Sequence, residues 1–235
     1  AFPTSERAHP ALLRAAQIAN QSLDRPLQAS KLLLAYLADS GEAPIVQTQL
    51  IQMAERLANE HRWLESLRIY TIYVEQFPAD PGSGQALIAI GKLREQTGSW
   101  QSAIATYDRA LEEYPQAGVD VSARLGLAEC QIQLGNWRTA RQAYEQVLKS
   151  ATGAARRNDL TPRIETLKQL ERFANLLTAR NDHRNQDDAA LQIARLVWQQ
   201  LGAPSRAAIE FAKVIEQYPQ SNLVDDAQLD LGRVL

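Results

Sequence analysis

Three histidines, one cysteine and one acidic run are the residues of this chain whose chemistry reaches beyond packing. His9, His61 and His183 lie far apart, and none has a second ligand at metal-binding spacing. Asp182, His183, Asp187 and Asp188 could together face a cation, but neither a calcium-loop spacing nor a zinc spacing is met, so the run reads as a solvated loop. Pro81-Gly82-Ser83-Gly84 has the glycine content of a phosphate-cradling loop. It lacks the lysine and following Ser or Thr, and no strand–helix unit follows it, so it reads as a linker. Cys130 is the single cysteine; it has no disulfide partner within the chain and is expected to pack as a small hydrophobe. No catalytic residue, metal ligand or cofactor site is therefore expected, and the chain reads as non-enzymatic.

What does recur at a fixed spacing is aromatic. Trp63, Trp100 and Trp137 are 37 residues apart, and so are Tyr70, Tyr107 and Tyr144. Two residue types held at one period over three copies mark a repeat array. The tyrosines, with Phe211, could be imagined as a stacking ladder for a ligand. Their neighbours argue for core instead, because each falls at i+4 between small or apolar residues: Ser66, Tyr70, Tyr73; Ala103, Tyr107, Ala110; Ala140, Tyr144, Val147. That spacing puts three side chains on one stripe of a helix. The tryptophans, just after the turns, are also assigned to packing.

The elements needed to position these stripes are antiparallel helix pairs. A first helix carries Leu12, Leu13, Ala16 and Ile18, with Thr4 or Ser5 as its cap. A second follows Asp24-Arg25-Pro26, with Leu27, Leu32, Leu33, Leu34, Tyr36 and Leu37 on a wide face, and Ser40 to Pro44 end it. From about Thr48 the pattern sharpens: Leu50, Met53, Ala54 and Leu57 lead to a turn at His61, and the next helix stops at Phe77-Pro78. The second copy has Leu87, Ile90 and Gly91 before the turn at Gly98, and the third has Leu127 and Ala128 before Gly135. Gly91, Ala54 and Ala128 leave room for the ring of the partner helix. Gly98 and Gly135 suit a turn with positive φ, which His61 adopts at modest cost.

Beyond Lys149 the rhythm breaks. Ser150 to Asp159, with Arg156-Arg157, reads as an exposed loop, and Thr161 caps a helix with Pro162 in its first turn and Ile164, Leu167, Leu170, Phe173 and Leu177 on one side. Asn181 to Asp188 is a loop or a helix start. Leu191, Ala194, Trp198 and Gly202, then Ala207, Phe211, Val214 and Pro219, restore the pattern, and Asn222 to Leu235 opens another first helix. The expected units are 10–46, 47–83, 84–120, 121–150, an irregular 151–187, 188–221 and a partial 222–235, in one continuous array over 1–235. An array ending in half a unit exposes an apolar face, which suggests a piece of a longer protein.

Composition narrows the function classes. The formal net charge of −2 argues against nucleic acid as a partner, and no apolar run is long enough to span a membrane. The chain starts at Ala1 with no signal-peptide pattern, so either a targeting segment has been removed or the chain is an excised piece.

These residues resemble the tetratricopeptide repeat: a small residue in the first helix, a turn glycine, then alanine, aromatic and small residues in the second, then proline. The resemblance covers 47–150 and 188–219 well and 10–46 weakly, with a unit of 37 rather than the usual 34 residues, the extra three lying in connectors such as Ala79 to Gly84. Glu216-Gln217-Tyr218-Pro219, with Asp225-Asp226-Ala227 and Leu231-Gly232, looks like the subgroup of bacterial envelope proteins of the outer-membrane assembly and Tol-Pal-associated type, which implies the cell envelope or periplasm. Arg124 and Arg195 depart from the pattern, standing where the family prefers apolar or small residues.

The resemblance implies an all-α fold, a right-handed α-α superhelix of about six helix pairs, and a protein or peptide partner held on the concave face of the first helices. Counting faces outward from the packed residues places Ile51, Glu55, Ala58 and Asn59 there, then Ile88, Lys92, Glu95 and Gln96, then Leu125, Glu129, Ile132 and Gln133. Ile51, Glu55, Asn59, Ile88, Lys92, Gln96, Glu129 and Gln133 are the candidate partner-binding residues, and the row Asn59, Gln96, Gln133 could both donate to and accept from a peptide backbone. Family members that clamp a C-terminal carboxylate carry Lys, Asn and Arg at set positions; here the matching sites hold Ile51, Glu55, Ala89, Ser122 and Gly126, so a neutral or mildly basic partner fits better. The leading expectation is an interaction scaffold. The alternatives are a structural spacer or self-assembly module, with homo-oligomerisation, and a substrate-recruiting region joined to a catalytic domain.

Overall fold

The computed structural model describes residues 8–150, 154–178 and 185–235, and every regular element among them is a helix. The twelve are α1 (Ala8–Gln21), α2 (Pro26–Ser40), α3 (Ala43–Asn59), α4 (Trp63–Gln76), α5 (Gly82–Gln96), α6 (Trp100–Glu113), α7 (Ala117–Leu134), α8 (Trp137–Ser150), α9 (Ala154–Thr178), α10 (Gln186–Gln199), α11 (Pro204–Gln217) and α12 (Val224–Val234). They gather into two compact units, one running to Asp120 and one from Val121 onward. In the first, α1 packs on α2, α3 on α4 and α5 on α6; in the second, α9 packs on both α8 and α10, and α11 on α10 and α12.

The period is written into the turns. Asp24, His61, Gly98 and Gly135 all have positive φ (49°, 60°, 69° and 80°) at successive 37-residue steps, and Gly202 repeats the geometry at 64°. A left-handed residue just past a helix lets the next N–H reach back to an orphan carbonyl. Arg62 N–H donates to the Leu57 carbonyl, Ser99 N–H to Arg94 and Asn136 N–H to Gln131, each at 2.8–2.9 Å. Asp24 thus belongs to the same series as the glycines, a turn position the sequence reading of the most degenerate copy missed.

The stripes are core. Ala103, Tyr107, Ala110, Ala140, Tyr144, Val147, Ala207, Phe211 and Val214 are all buried, as are Ser66, Tyr70 and Tyr73. A Cβ on Gly91 would lie 2.3 Å from Cε1 of Tyr107, so the glycine is what lets that ring lie against α5. Ser66 fills the alanine position of its copy and, being buried, donates its hydroxyl to the Ala54 carbonyl at 2.8 Å.

Several boundaries differ from the sequence reading. Helix α3 begins at Ala43, so Pro44 opens it instead of closing α2; proline suits a first turn because its missing N–H would be unpaired there. Gly82-Ser83-Gly84 is the first turn of α5 and not a linker: Ser83 Oγ donates to the Phe77 carbonyl at 2.7 Å, and a Cβ on Gly84 would meet Tyr114 Cβ at 2.8 Å. Ile18 is 43% exposed, with Ala16 and Ala19 buried in its place. The proposed caps Thr4 and Ser5 lie outside the described residues.

Within the irregular unit, residues 154–178 form one long helix. Helix α9 starts at Ala154 and runs through Pro162, so of the expected loop at Ser150 to Asp159 both Ser150 and residues 154–159 are helical, residues 151–153 lie outside the described residues, and Thr161 is not a cap. An internal proline costs a helix about 3 kcal/mol. The buried face Leu160, Ile164, Leu167 and Leu170 offsets it by packing into the core of the second unit. The two off-pattern arginines are used: Arg195 reaches from α10 to Asp230 of α12 at 2.8 Å, and Arg124 donates to Gln146.

Candidate functional site

Helices α3 and α5 each present an i, i+4 pair on neighbouring faces, Ile51 with Glu55 and Ile88 with Lys92. Between them lies a cavity of about 360 Å³ whose floor is Tyr70 and Tyr73 from α4, with Gly82, Gln85, Ala86 and Ala89 of α5 completing the wall. The aromatic floor follows from the packing stripe. Tyr70 and Tyr73 are buried in the core, and both line the base of the cavity.

The polar groups at this floor are held in defined states. Burial, and then the negative charge of Glu55, pushes the Tyr70 phenol up to about 12. Tyr73 also rises to about 12, through burial and its hydrogen bond to Asp80 Oδ2 at 3.0 Å. Asp80 anchors this corner further by accepting the Gly82 N–H at 2.7 Å and a hydrogen bond from Gln47. A Cβ on Gly82 would lie 2.6 Å from the Tyr73 hydroxyl, so glycine keeps that end of the cavity open. Glu55 and Lys92 are exposed, and neither is hydrogen-bonded or ion-paired among the described residues.

Of the eight residues expected on the binding face, the structure thus brings Ile51, Glu55, Ile88 and Lys92 together. Ile88, expected to point outward, is only 3% exposed and contributes an edge to the wall. Asn59 and Gln96 are exposed but line no part of the cavity; each is the last residue of its helix, at the turn end of α3 and α5. In the second unit Gln133 is half-buried, and its backbone carbonyl accepts from Arg206 at 3.4 Å. Ile132, expected on the same face, is fully buried. Tyr70, Tyr73 and Gln85 were missed as lining residues, the first two because their stripe reads as pure core.

Glu129 has a different setting from Glu55. It stands two 37-residue steps beyond Glu55, as Tyr144 does beyond Tyr70. Tyr144 donates its hydroxyl to Glu129, and Arg163 of α9 places Nη2 2.6 Å and 2.9 Å from the two carboxylate oxygens. The Arg163 guanidinium lies 5.4 Å from the centre of the Tyr144 ring. Burial first, then the Glu129 charge, raises the Tyr144 phenol well above its ordinary value, and Arg163 opposes the rise.

A second depression of about 610 Å³ surrounds the α3–α4 turn, lined by His61, Trp63, Leu64, Arg68 and Thr97 among others, with Leu64 69% exposed. At its rim Arg62 is already paired, with Asp24 at 2.6 Å and with Glu65. Among the described residues no group of three or more His, Cys, Asp or Glu side chains is arranged to hold a metal.

The pattern of turns, small residues and buried tyrosines is matched at the family level. Residues 51–118 and 95–161 each match the tetratricopeptide repeat. This stretch belongs to the tetratricopeptide-repeat family. No curated protein matches the chain. Among solved structures, 97% of this chain is similar to 99% of a tetratricopeptide repeat protein of Parabacteroides merdae, at 14% identity and a TM-score of 0.49. It is also similar, over 97% of its length, to 99% of a TPR repeats protein of Bacteroides fragilis (14%, TM-score 0.42) and to 83% of pilF of Pseudomonas aeruginosa (17%, TM-score 0.40). Tetratricopeptide repeats are protein-interaction scaffolds, and among the described residues no helix is long and apolar enough to cross a membrane.

Proposed function

We propose that this tetratricopeptide-repeat chain is a non-enzymatic scaffold that holds a segment of a protein partner in the cavity between α3 and α5. One observation carries the reading: a cavity of about 360 Å³ lies between two first helices, apolar at Ile51 and Ile88, with Glu55 and Lys92 exposed at it and ion-paired to nothing among the described residues. An apolar wall with a few convergent polar groups is the usual character of a recognition site. The eight residues of the sequence reading then divide. Ile51, Glu55, Ile88 and Lys92 form the contact; Asn59 and Gln96 lie at its margin; in the second unit Glu129 is paired with Arg163, and the Gln133 backbone carbonyl accepts from Arg206.

A peptide library displayed against the chain tests this. Selected peptides are expected to lose binding to Ile51→Arg, whose long cationic side chain fills the cavity, while Asn59→Ala with Gln96→Ala weakens them little. Peptides that bind Ile51→Arg as well as the parent would overturn the assignment. Self-association is the competing use of the same surface. It predicts concentration-dependent sedimentation abolished by Ile51→Arg, with no peptide selected.

A further inference from the structure

We infer that the cavity at Glu55 and Tyr70 receives an arginine side chain of the partner, an inference that rests on the groove reading above. The chain carries a second copy of this site with an arginine already in it. Glu129 and Tyr144 stand two 37-residue steps beyond Glu55 and Tyr70, and between them sits Arg163, both Glu129 oxygens within 2.9 Å of its Nη2 and the Tyr144 ring beneath its guanidinium. The residue two steps before Arg163 is Ala89. The register holds at the positions flanking it, since Leu160, Ile164 and Leu167 of α9 are buried at the positions of Ala86, Ile90 and Leu93 of α5, buried likewise. Ala89 lines the cavity. The first copy therefore keeps the acid and the aromatic ring and omits the arginine, and the space it omits is open.

The chemistry of the site selects a guanidinium over an ammonium. Its planar face stacks on a tyrosine ring while its edge pairs with a carboxylate, two contacts a point charge makes less well. Tyr70, with its phenol up to about 12, stays neutral and presents its ring and hydroxyl unchanged through the physiological range. The middle copy has Lys92 at the glutamate position, so the three copies do not offer equivalent sites. Lys92 also lines the cavity of the first copy, one turn beyond Ala89, where it opposes the incoming cation and limits the site to partners whose arginine engages Glu55 directly.

The test uses the full chain with its tyrosine rings isotopically labelled and a blocked arginine, N-acetyl-arginine methylamide, as probe. The Tyr70 ring signals are expected to shift saturably with blocked arginine and to stay still with blocked citrulline, which has the shape without the charge. Glu55→Gln is expected to weaken the response about two- to fivefold, as for other solvent-screened charge pairs, and Lys92→Ala to strengthen it. Ala89→Arg supplies the arginine in cis: it should abolish the response and raise Tm, a gain that disappears when Glu55→Gln is added. Equal shifts with citrulline, or a response that survives Glu55→Gln, would overturn the inference. If displayed peptides bind the groove with unchanged affinity after all their arginines are replaced, the groove reading stands and this one fails. If blocked arginine titrates Tyr70 and no peptide binds, the reverse holds.

Discussion

Two places in this molecule are built from the same acid and the same ring and end in opposite states. At Glu129 and Tyr144 the following helix returns an arginine, and the site is closed by its own chain. At Glu55 and Tyr70 the following helix returns Ala89, and the site is a cavity. The difference of one side chain decides whether a repeat spends its first-helix face on holding the array together or leaves it for something else. Repetition thus supplies the scaffold, and a departure from it leaves the cavity open.

The largest effect that separates the two copies comes from removing the ring. Tyr144→Ala and Tyr70→Ala each empty a large buried volume, for which about 3–5 kcal/mol is expected. Tyr144 also supports the Arg163 guanidinium and donates to Glu129, so its loss should fall at the upper end and that of Tyr70 at the lower. Denaturant unfolding of both variants measures this. Equal losses would show that the arginine in the closed copy contributes nothing through the ring.

A smaller effect distinguishes the middle copy from its neighbours. Gly91 occupies the position of Ala54 and Ala128, yet Tyr107 lies so close that a new Cβ would meet its ring at 2.3 Å. Its hydroxyl donates to Glu95, one turn beyond Lys92, which stands where the flanking copies have glutamate. Gly91→Ala is therefore expected to cost about 1–3 kcal/mol by overpacking, even though alanine ordinarily favours a helix. Ala128→Gly should cost about 1 kcal/mol through propensity and further through loss of a buried methyl. A neutral Gly91→Ala in a thermal melt would mean that Tyr107 has room to withdraw.

The contrast between copies also shows why part of the site was legible in the sequence and part was not. The fit of Tyr107 against Gly91, and of Tyr70 and Tyr144 against their alanines, is short-range and repeats at 37 residues, so residue types alone expose it. The partnership of Glu129 with Arg163 is hidden because Thr161-Pro162 mimics a helix start; only when α9 is seen to begin at Ala154 does Arg163 fall into register with Ala89. The row Asn59, Gln96, Gln133 keeps the period, but periodicity does not tell the middle of a groove from its end. Asn59 and Gln96 close their helices, beyond the reach of the cavity. Asp24 was overlooked for a related reason: a turn read from glycine and histidine misses the aspartate that adopts the same φ in the most degenerate copy.

At neutral pH the next difference is silent, and it emerges in alkali. Both phenols are raised, Tyr70 to about 12 and Tyr144 further. A raised folded value for an acid means that the folded chain holds the proton more tightly. The stability this contributes is complete below the unfolded value near 10 and is lost as pH rises through the folded one. Tyrosinate absorbance should therefore show Tyr70 and Tyr144 ionising late, together with unfolding. Arg163→Gln removes a charge that lowers the Tyr144 value, so it should delay that residue further, whereas Ala89→Arg should bring Tyr70 earlier. Shifts in the same direction would break the equivalence of the two sites.

The smallest effect is the most direct statement of the comparison. Glu129 and Arg163 are about 43% and 29% exposed, so solvent screens their attraction, and Glu129→Gln is expected to cost only about 0.5–1 kcal/mol, less at high salt. Glu55 has no such partner, and Glu55→Gln should stay within about 0.5 kcal/mol of the parent. The informative quantity is the coupling, because Glu129→Gln also perturbs the Tyr144 hydroxyl. In a double-mutant cycle, Glu129→Gln with Arg163→Gln should cost less than the sum of the two, and Glu55→Gln with Arg163→Gln should be additive. Coupling confined to the first cycle would mean that the closed copy stores its acid in the fold while the open copy holds one the fold does not use. A comparable coupling in the second would tie Glu55 to the stability of the chain and remove the reason for reading its cavity as a place kept for a partner.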